Sequence, residues 1–168
     1  MLVASRAAHG PSAAMAQDSP FISHMDAALA EARAAATRGE VPVGAVVVDP
    51  AGRIVARVGN RMRETGDPTA HAEMLAIRAA CAALGRDRLT GCALYVTLEP
   101  CAMCAGAIAA ARVARLYYGA ADPKSGGVAQ GARVFDRAQC HHRPEVYDGI
   151  GAAAAGALLQ DFFAGMRR

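Results

Sequence analysis

The stretch CALYVTLEPCAMCAGAIAAAR, residues 92–112, changes character midway. "CALYVTLE" (92–99) carries β-branched and aromatic side chains in a short apolar run, which predicts a strand. "CAMCAGAIAAAR" (101–112) is rich in alanine, the strongest helix former, and Pro100 precedes it in a position compatible with helix entry. One strand therefore feeds one helix here, with two cysteines at the junction.

The same alternation extends in both directions. Upstream, "ISHMDAALAEARAAATR" (22–38) predicts a helix with Ile22, Met25, Leu29 and Ala32 on one stripe and Gly39 as its stop. "VPVGAVVVD" (41–49) reads as a buried strand, "PAG" as a turn, and "RIVARVGN" (53–60) as the second arm of a hairpin. "RMRETGDP" reads as a loop, and Thr69 as the cap of a helix over about 70–84 that Gly85 ends. Downstream, "ARLYYGA" (114–120) predicts a fourth strand and "ADPKSGGVAQGAR" a Gly-rich loop. "PEVYDG" predicts a short fifth strand, and about 151–167 a last helix. Repeated β-then-α order implies a sheet covered by helices.

A chain of 168 residues normally makes one domain with a full core. Apolar residues are 54% and aromatic ones 5%, so much of the packing falls to alanine. The net charge of +3 permits an anionic partner without requiring one. Five irregularly spaced cysteines do not make a disulfide framework, and they point to a reducing cytoplasm with some thiols used for metal. The longest apolar run, at 150–159, is far short of the roughly 20 residues that span a bilayer, so no membrane partner is expected. Residues 1–20 lack a long apolar signal region and read as a disordered tail, with Met15 and Met25 as alternative starts. That leaves 21–168 as a single domain.

A second stretch joins the first. "DPTAHAEM" (67–74) places His71 and Glu73 two positions apart at a helix start. Zinc takes imidazole nitrogen and thiolate sulfur, and a catalytic site keeps one tetrahedral position open for water. His71, Cys101 and Cys104 would make three ligands, supplied from two helix starts whose positive ends favour ionised thiols. Glu73, one residue removed from a ligand, is placed to carry a proton without ligating. Alone, a C-x-x-C pair also fits a redox pair or two small core residues, and a helix-start glutamate also fits simple helix electrostatics.

Together, His-x-Glu followed by Pro-Cys-x-x-Cys matches the signature of zinc nucleobase deaminases. From about Glu40 to Phe163 the chain resembles the cytidine-deaminase-like fold, and within it the tRNA-specific adenosine deaminases of bacteria. "EVPVGAVVV", "GNR", "DPTAHAEM" and "LYVTLEPCAMCAGAI" fit several relatives, whereas "GAADPKSGG" and the C-terminal "DFF" point more narrowly to the tRNA enzymes. The resemblance implies a three-layer α/β/α fold with a mixed five-stranded sheet, a homodimer and one Zn2+ per subunit. It implies conversion of the wobble adenosine in the anticodon stem-loop of an arginine tRNA to inosine. Carried over by position, His71, Cys101 and Cys104 bind zinc and Glu73 is the proton shuttle.

By the same resemblance, Asn60 hydrogen-bonds the flipped-out adenine and the backbone amide of Ala72 lies near the ring. Asp122 and Lys124 fall in the loop that meets the target and flanking nucleotides. Phe163 matches an aromatic on the RNA side, while Phe162 reads as the core face of the last helix. The segment "VAQGARVFDRAQCHHRPEV" departs from the family: a Ser is more usual near Gln130, and a Leu-Asn-His run where Cys140, His141 and His142 stand. A guanine or free-nucleoside deaminase of the same fold is the rival enzyme. A zinc-stabilised binding module is the rival of another class, but Glu73 is present and no fourth ligand is evident.

Overall fold

The computed structural model describes residues 20–167, so the expected tail lies, apart from Pro20, outside the described residues. Five strands form one sheet in the order β2-β1-β3-β4-β5. They are β1 (Gly44–Val48), β2 (Ile54–Gly59), β3 (Ala93–Leu98), β4 (Arg115–Ala120) and β5 (Glu145–Tyr147). β1 runs antiparallel to both β2 and β3. β3, β4 and β5 run parallel, so the sheet is mixed as expected. The helices are α1 (Met25–Thr37), α2 (Met62–Thr65), α3 (Ala72–Leu84), α4 (Ala102–Ala110) and α5 (Ala152–Met166).

Strand side chains alternate between two faces, and here both faces are dry. Val46, Val48, Ala93, Tyr95 and Tyr117 face Met25, Ala28 and Leu29 of α1 and Ala155 of α5. Ala45, Val47, Leu94, Val96 and Leu116 face Ala76, Ile77 and Ala80 of α3 and Ala105 and Ile108 of α4. The result is the three-layer α/β/α arrangement. Each fully buried Val or Leu contributes roughly 1.5–3 kcal/mol of apolar transfer free energy.

Alanine and glycine let the layers approach closely. A Cβ at Gly44 would lie 2.0 Å from the Ala28 carbonyl oxygen, so no side chain can stand where β1 passes under α1. On the α1 side, Tyr95, Tyr117 and Tyr147 stand in register across β3, β4 and β5. Their rings stack at 4.5 and 4.9 Å between centroids. β5 is a three-residue exposed edge, short enough to offer little to a foreign strand.

Several sequence expectations are corrected. Helix α1 starts at Met25, and Ile22 is 70% exposed rather than on the buried stripe. The segment expected as a plain loop holds the single-turn α2. The first strand is shorter than 41–49, because Val41, Pro42 and Val43 precede the first ladder pair and Asp49 follows the last. Thr69 does not cap α3, which begins three residues later.

β3 and β4 are parallel, so both carboxyl ends open on one edge of the sheet, where ligand crevices form in such folds. The start of β1 and the N-termini of α3 and α4 converge on the same edge.

Candidate functional site

The Asp67-Pro68-Thr69 turn sets up the start of α3. Asp67 Oδ1 accepts the backbone N–H of Thr69 at 2.8 Å and its hydroxyl at 2.7 Å. Those bonds, the hydroxyl first, hold the Asp67 carboxyl below its usual range. The hydroxyl is therefore spent on the turn, which is why Thr69 does not cap the helix. His71 occupies the N-cap position in extended conformation and makes no side-chain cap. The cap comes from the residue after β2: Asn60 Oδ1 accepts the Ala72 N–H at 2.8 Å. The His71 ring is thereby left free to face the cysteines.

Cys101 holds the equivalent extended N-cap position of α4, with Cys104 one turn in. His71 Nδ1 lies 3.7 Å from Cys101 Sγ and 3.5 Å from Cys104 Sγ. Tetrahedral bonds of about 2.0–2.1 Å to nitrogen and 2.3 Å to sulfur place these two atoms about 3.6 Å apart. The donor set, soft sulfur with imidazole, also suits zinc. The residues therefore fit the ion. They are the only such group of three among the described residues, so the fourth protein ligand of a structural zinc site is missing.

The electrostatics of the cluster follow from one shared proton. Cys104 donates to Cys101, so the Cys101 thiol is lowered to about 4, with His71 as a further cause. Cys104 keeps the proton and is pushed up, first by that bond and then by burial. His71 is raised by its bond to Cys101 against the opposing effect of burial. Glu73 is 4% exposed. Burial pushes its carboxyl up to about 7, although its own backbone N–H and the His71 charge pull it down.

Cys104 is fully buried, while His71, Glu73 and Cys101 line a pocket of about 140 Å³ together with Asn60, Leu98, Asp122 and Ser125. A neighbouring cavity of about 330 Å³ shares Leu98, Asp122 and Ser125 with it and adds Lys124, Leu159 and Phe163. The structure thus brings every sequence-predicted site residue to one region. Ala72 is fully buried, and its amide is occupied by Asn60. The Asn60 Nδ2 donates to the Val41 carbonyl at 3.2 Å, which leaves the side chain one N–H and one lone pair. Phe163 is 43% exposed and Phe162 half-buried, edge-on to it at 5.5 Å.

Sequence reasoning missed Val41, Val43, Met62, Leu98, Glu99 and Ser125 in the wall. Glu99 did carry a signal, because a carboxylate directly after an apolar strand has to be satisfied inside the fold. His141 and Cys140 line a separate cavity of about 590 Å³ beside α4. His142 is engaged there with the Val113 carbonyl at 2.6 Å, and no second metal cluster forms among the described residues.

Comparison with known proteins agrees with this geometry. The family described as cytidine and deoxycytidylate deaminase zinc-binding region matches residues 19–120. A tRNA-specific adenosine deaminase of Agrobacterium fabrum is 57% identical over 83% of this chain and 91% of its own. A solved structure from work on A-to-I editing by tRNA:A34 deaminases at the wobble position has a TM-score of 0.79 at 57% identity, covering 80% of this chain and 97% of that one. A guanine deaminase from Nitrosomonas europaea has a TM-score of 0.72 at 27% identity, covering 83% and 82%. The two helix starts, the zinc-fitting cluster between them and these likenesses converge: this chain belongs to the cytidine and deoxycytidylate deaminase zinc-binding family, alongside the tRNA-specific adenosine deaminases.

Proposed function

We propose that the protein deaminates adenosine to inosine at the wobble position of a tRNA, an arginine tRNA first among the candidates. The supporting observation is the join between the two cavities. The pocket with His71, Cys101 and Glu73 takes one base, and the adjoining cavity offers Lys124 and Phe163 to its flanking nucleotides. A stacking ring beside a cation suits single-stranded RNA.

Zinc, which His71, Cys101 and Cys104 would hold, would supply the Lewis acidity that makes water nucleophilic near neutral pH. Glu73 takes a proton from the attacking water and delivers it to ring N1, then carries the second proton from the new hydroxyl to the leaving amino group. Oxygen from water ends on the ring carbon and ammonia departs. A carboxyl that burial pushes up can both accept and return each proton. Asn60 uses its spare N–H and lone pair on the purine edge, and the small Ala72 lets the ring lie close to the helix start. Asp122 orders its own loop by accepting the N–H groups of Lys124 at 3.1 Å and Ser125 at 3.0 Å.

Adenosine in an anticodon stem-loop is therefore expected to be converted, with a rate that falls as salt rises, because phosphate contacts release counterions. Free adenosine should turn over poorly. Removing residues from Asp161 onward should weaken RNA binding more than zinc binding. The structural likeness to guanine deaminases supplies the second reading. Comparable turnover of free guanine or adenosine, with no salt effect on the stem-loop, would select it.

The functional unit is a homodimer. Met103 and Ala110 on the outer side of α4 are exposed, and half-buried Gly106 and Ala107 lie between them. The cavity of about 590 Å³ opens beside this face, with Arg112 and Arg137 at its rim. An apolar helix face of small residues suits close packing of a second copy. Sedimentation at micromolar concentration should give a dimer, and Ala110→Glu should shift it toward monomer. A monomeric parent protein would reject the assignment. The five free thiols fit the cytoplasm, and no helix among the described residues is long and apolar enough to cross a membrane.

A further inference from the structure

Glu99 is a carboxylate that the chemistry above does not use, and it is 1% exposed. It lies between β3 and Pro100, two positions before Cys101. Its Oε1 accepts the backbone N–H groups of Ala129 at 2.8 Å, Gln130 at 2.9 Å and Val128 at 3.3 Å. Its Oε2 accepts the N–H of Asp122 at 3.0 Å. A buried charge is costly unless hydrogen-bonded, and here all four donors come from one loop.

The same loop is fitted tightly against the start of α4. Gly127 donates its N–H to the Pro100 carbonyl at 2.8 Å, and Gly126 forms an antiparallel bridge with Cys101. A Cβ at Gly126 would lie 2.6 Å from the Glu99 carboxyl carbon, and one at Gly127 would lie 2.5 Å from the Ala102 nitrogen. Glycine at both positions is therefore a condition of the strap. Glu99 grips the loop at both ends of the 122–130 segment. Asp122 of the pocket wall is one of those ends, and between them stand Ser125 of the wall and Lys124 of its mouth.

We infer that Glu99 is a positioning residue for substrate. By clamping the 122–130 loop it sets where Asp122, Lys124 and Ser125 meet the RNA. It acts on recognition rather than on the metal or the proton transfer. The inference rests on the RNA-deaminase reading above for its substrate, but the clamp itself is a property of the loop.

The test uses Glu99→Gln and Glu99→Ala in the full-length, zinc-loaded protein. The glutamine keeps the volume but has one acceptor oxygen, and its NH2 faces backbone donors. A bond to a charged acceptor is worth a factor of about 10–150. In Glu99→Gln, amide exchange at 122 or at 128–130 should therefore accelerate at least about tenfold, while amides of β1, β3 and β4 keep their protection. KM for an anticodon stem-loop should rise about tenfold, with kcat within about threefold and zinc at the parental ratio. Glu99→Ala should shift both further, and if it does not fold, the glutamine variant decides. Unchanged loop exchange would overturn the proposal, as would loss of zinc or a fall in kcat with KM unaltered. If the parent protein leaves the stem-loop unedited while the loop amides of the variant still open, the RNA reading fails and the clamp stands.

Discussion

Glu73→Ala should fold, keep most of its zinc and lose deamination by a factor of about 10²–10⁴ or more, the range typical of positioned acid–base groups. The loss tends to the upper end because one carboxyl serves two transfers, from the water and to the leaving amine. Folding should survive because Glu73 sits in the first turn of α3 at the wall of the pocket, where the shorter side chain leaves space rather than a clash. Removing a carboxyl that burial already drives up to about 7 also relieves a desolvation cost. Zinc should survive because the three ligand atoms belong to His71, Cys101 and Cys104. Single-turnover rates on a stem-loop, with zinc content measured on the same samples, check both halves. Activity within tenfold of the parent would reject the proton-carrier role.

Cys101→Ser and Cys104→Ser should each lose zinc and, with it, activity. Changes outside the ligand shell already weaken metal sites by about 10–100-fold. Removing one of only three protein ligands should exceed that. The two variants should differ in stability. Cys104 is fully buried, so a serine hydroxyl there exchanges water for the His71 ring and should lower stability. Cys101 is half-buried at the pocket wall, where water can reach a hydroxyl. Cys81→Ser and Cys140→Ser are the controls, because neither belongs to the ligand cluster. Metal analysis after dialysis decides the matter. Zinc loss in a control as severe as in Cys101→Ser would show that the ligand set is wrong.

The elements that the sequence shows most plainly are those whose pattern is local. "GAVVV" has no polar residue to place outward, so a strand buried on both faces follows from it alone. The drop from "TLEP" into "CAMCAGA" marks a strand end and a helix start within a few residues. The misreadings share one cause. Thr69 has the chemistry of a cap, but its hydroxyl is nearer to Asp67, and the competing turn takes it. Ile22 has the right spacing for the α1 stripe, but the helix begins after it. The single turn of α2 has too few residues to show a period, and it depends on Glu40, from before β1, accepting the N–H of Glu64 at 2.9 Å.

For this protein the sequence by itself pointed to a sheet covered by helices, to His71, Cys101 and Cys104 as candidate ligands and to Glu73 as the proposed proton carrier. Each of those depends on residue type and short spacing: alternating strands and helices, His-x-Glu, and Cys-x-x-Cys. Only the tertiary structure decided how the pieces face one another. It brought His71 Nδ1 within 3.7 Å of both sulfurs, across 30 and 33 residues of chain. It made Asn60 the cap of a helix 12 residues away and gathered four backbone donors around Glu99 from residues 23 to 31 positions downstream. Short spacings are legible because covalent geometry fixes them. The long-range contacts are not, because they exist only once parallel β3 and β4 bring their carboxyl ends to the same edge of the sheet.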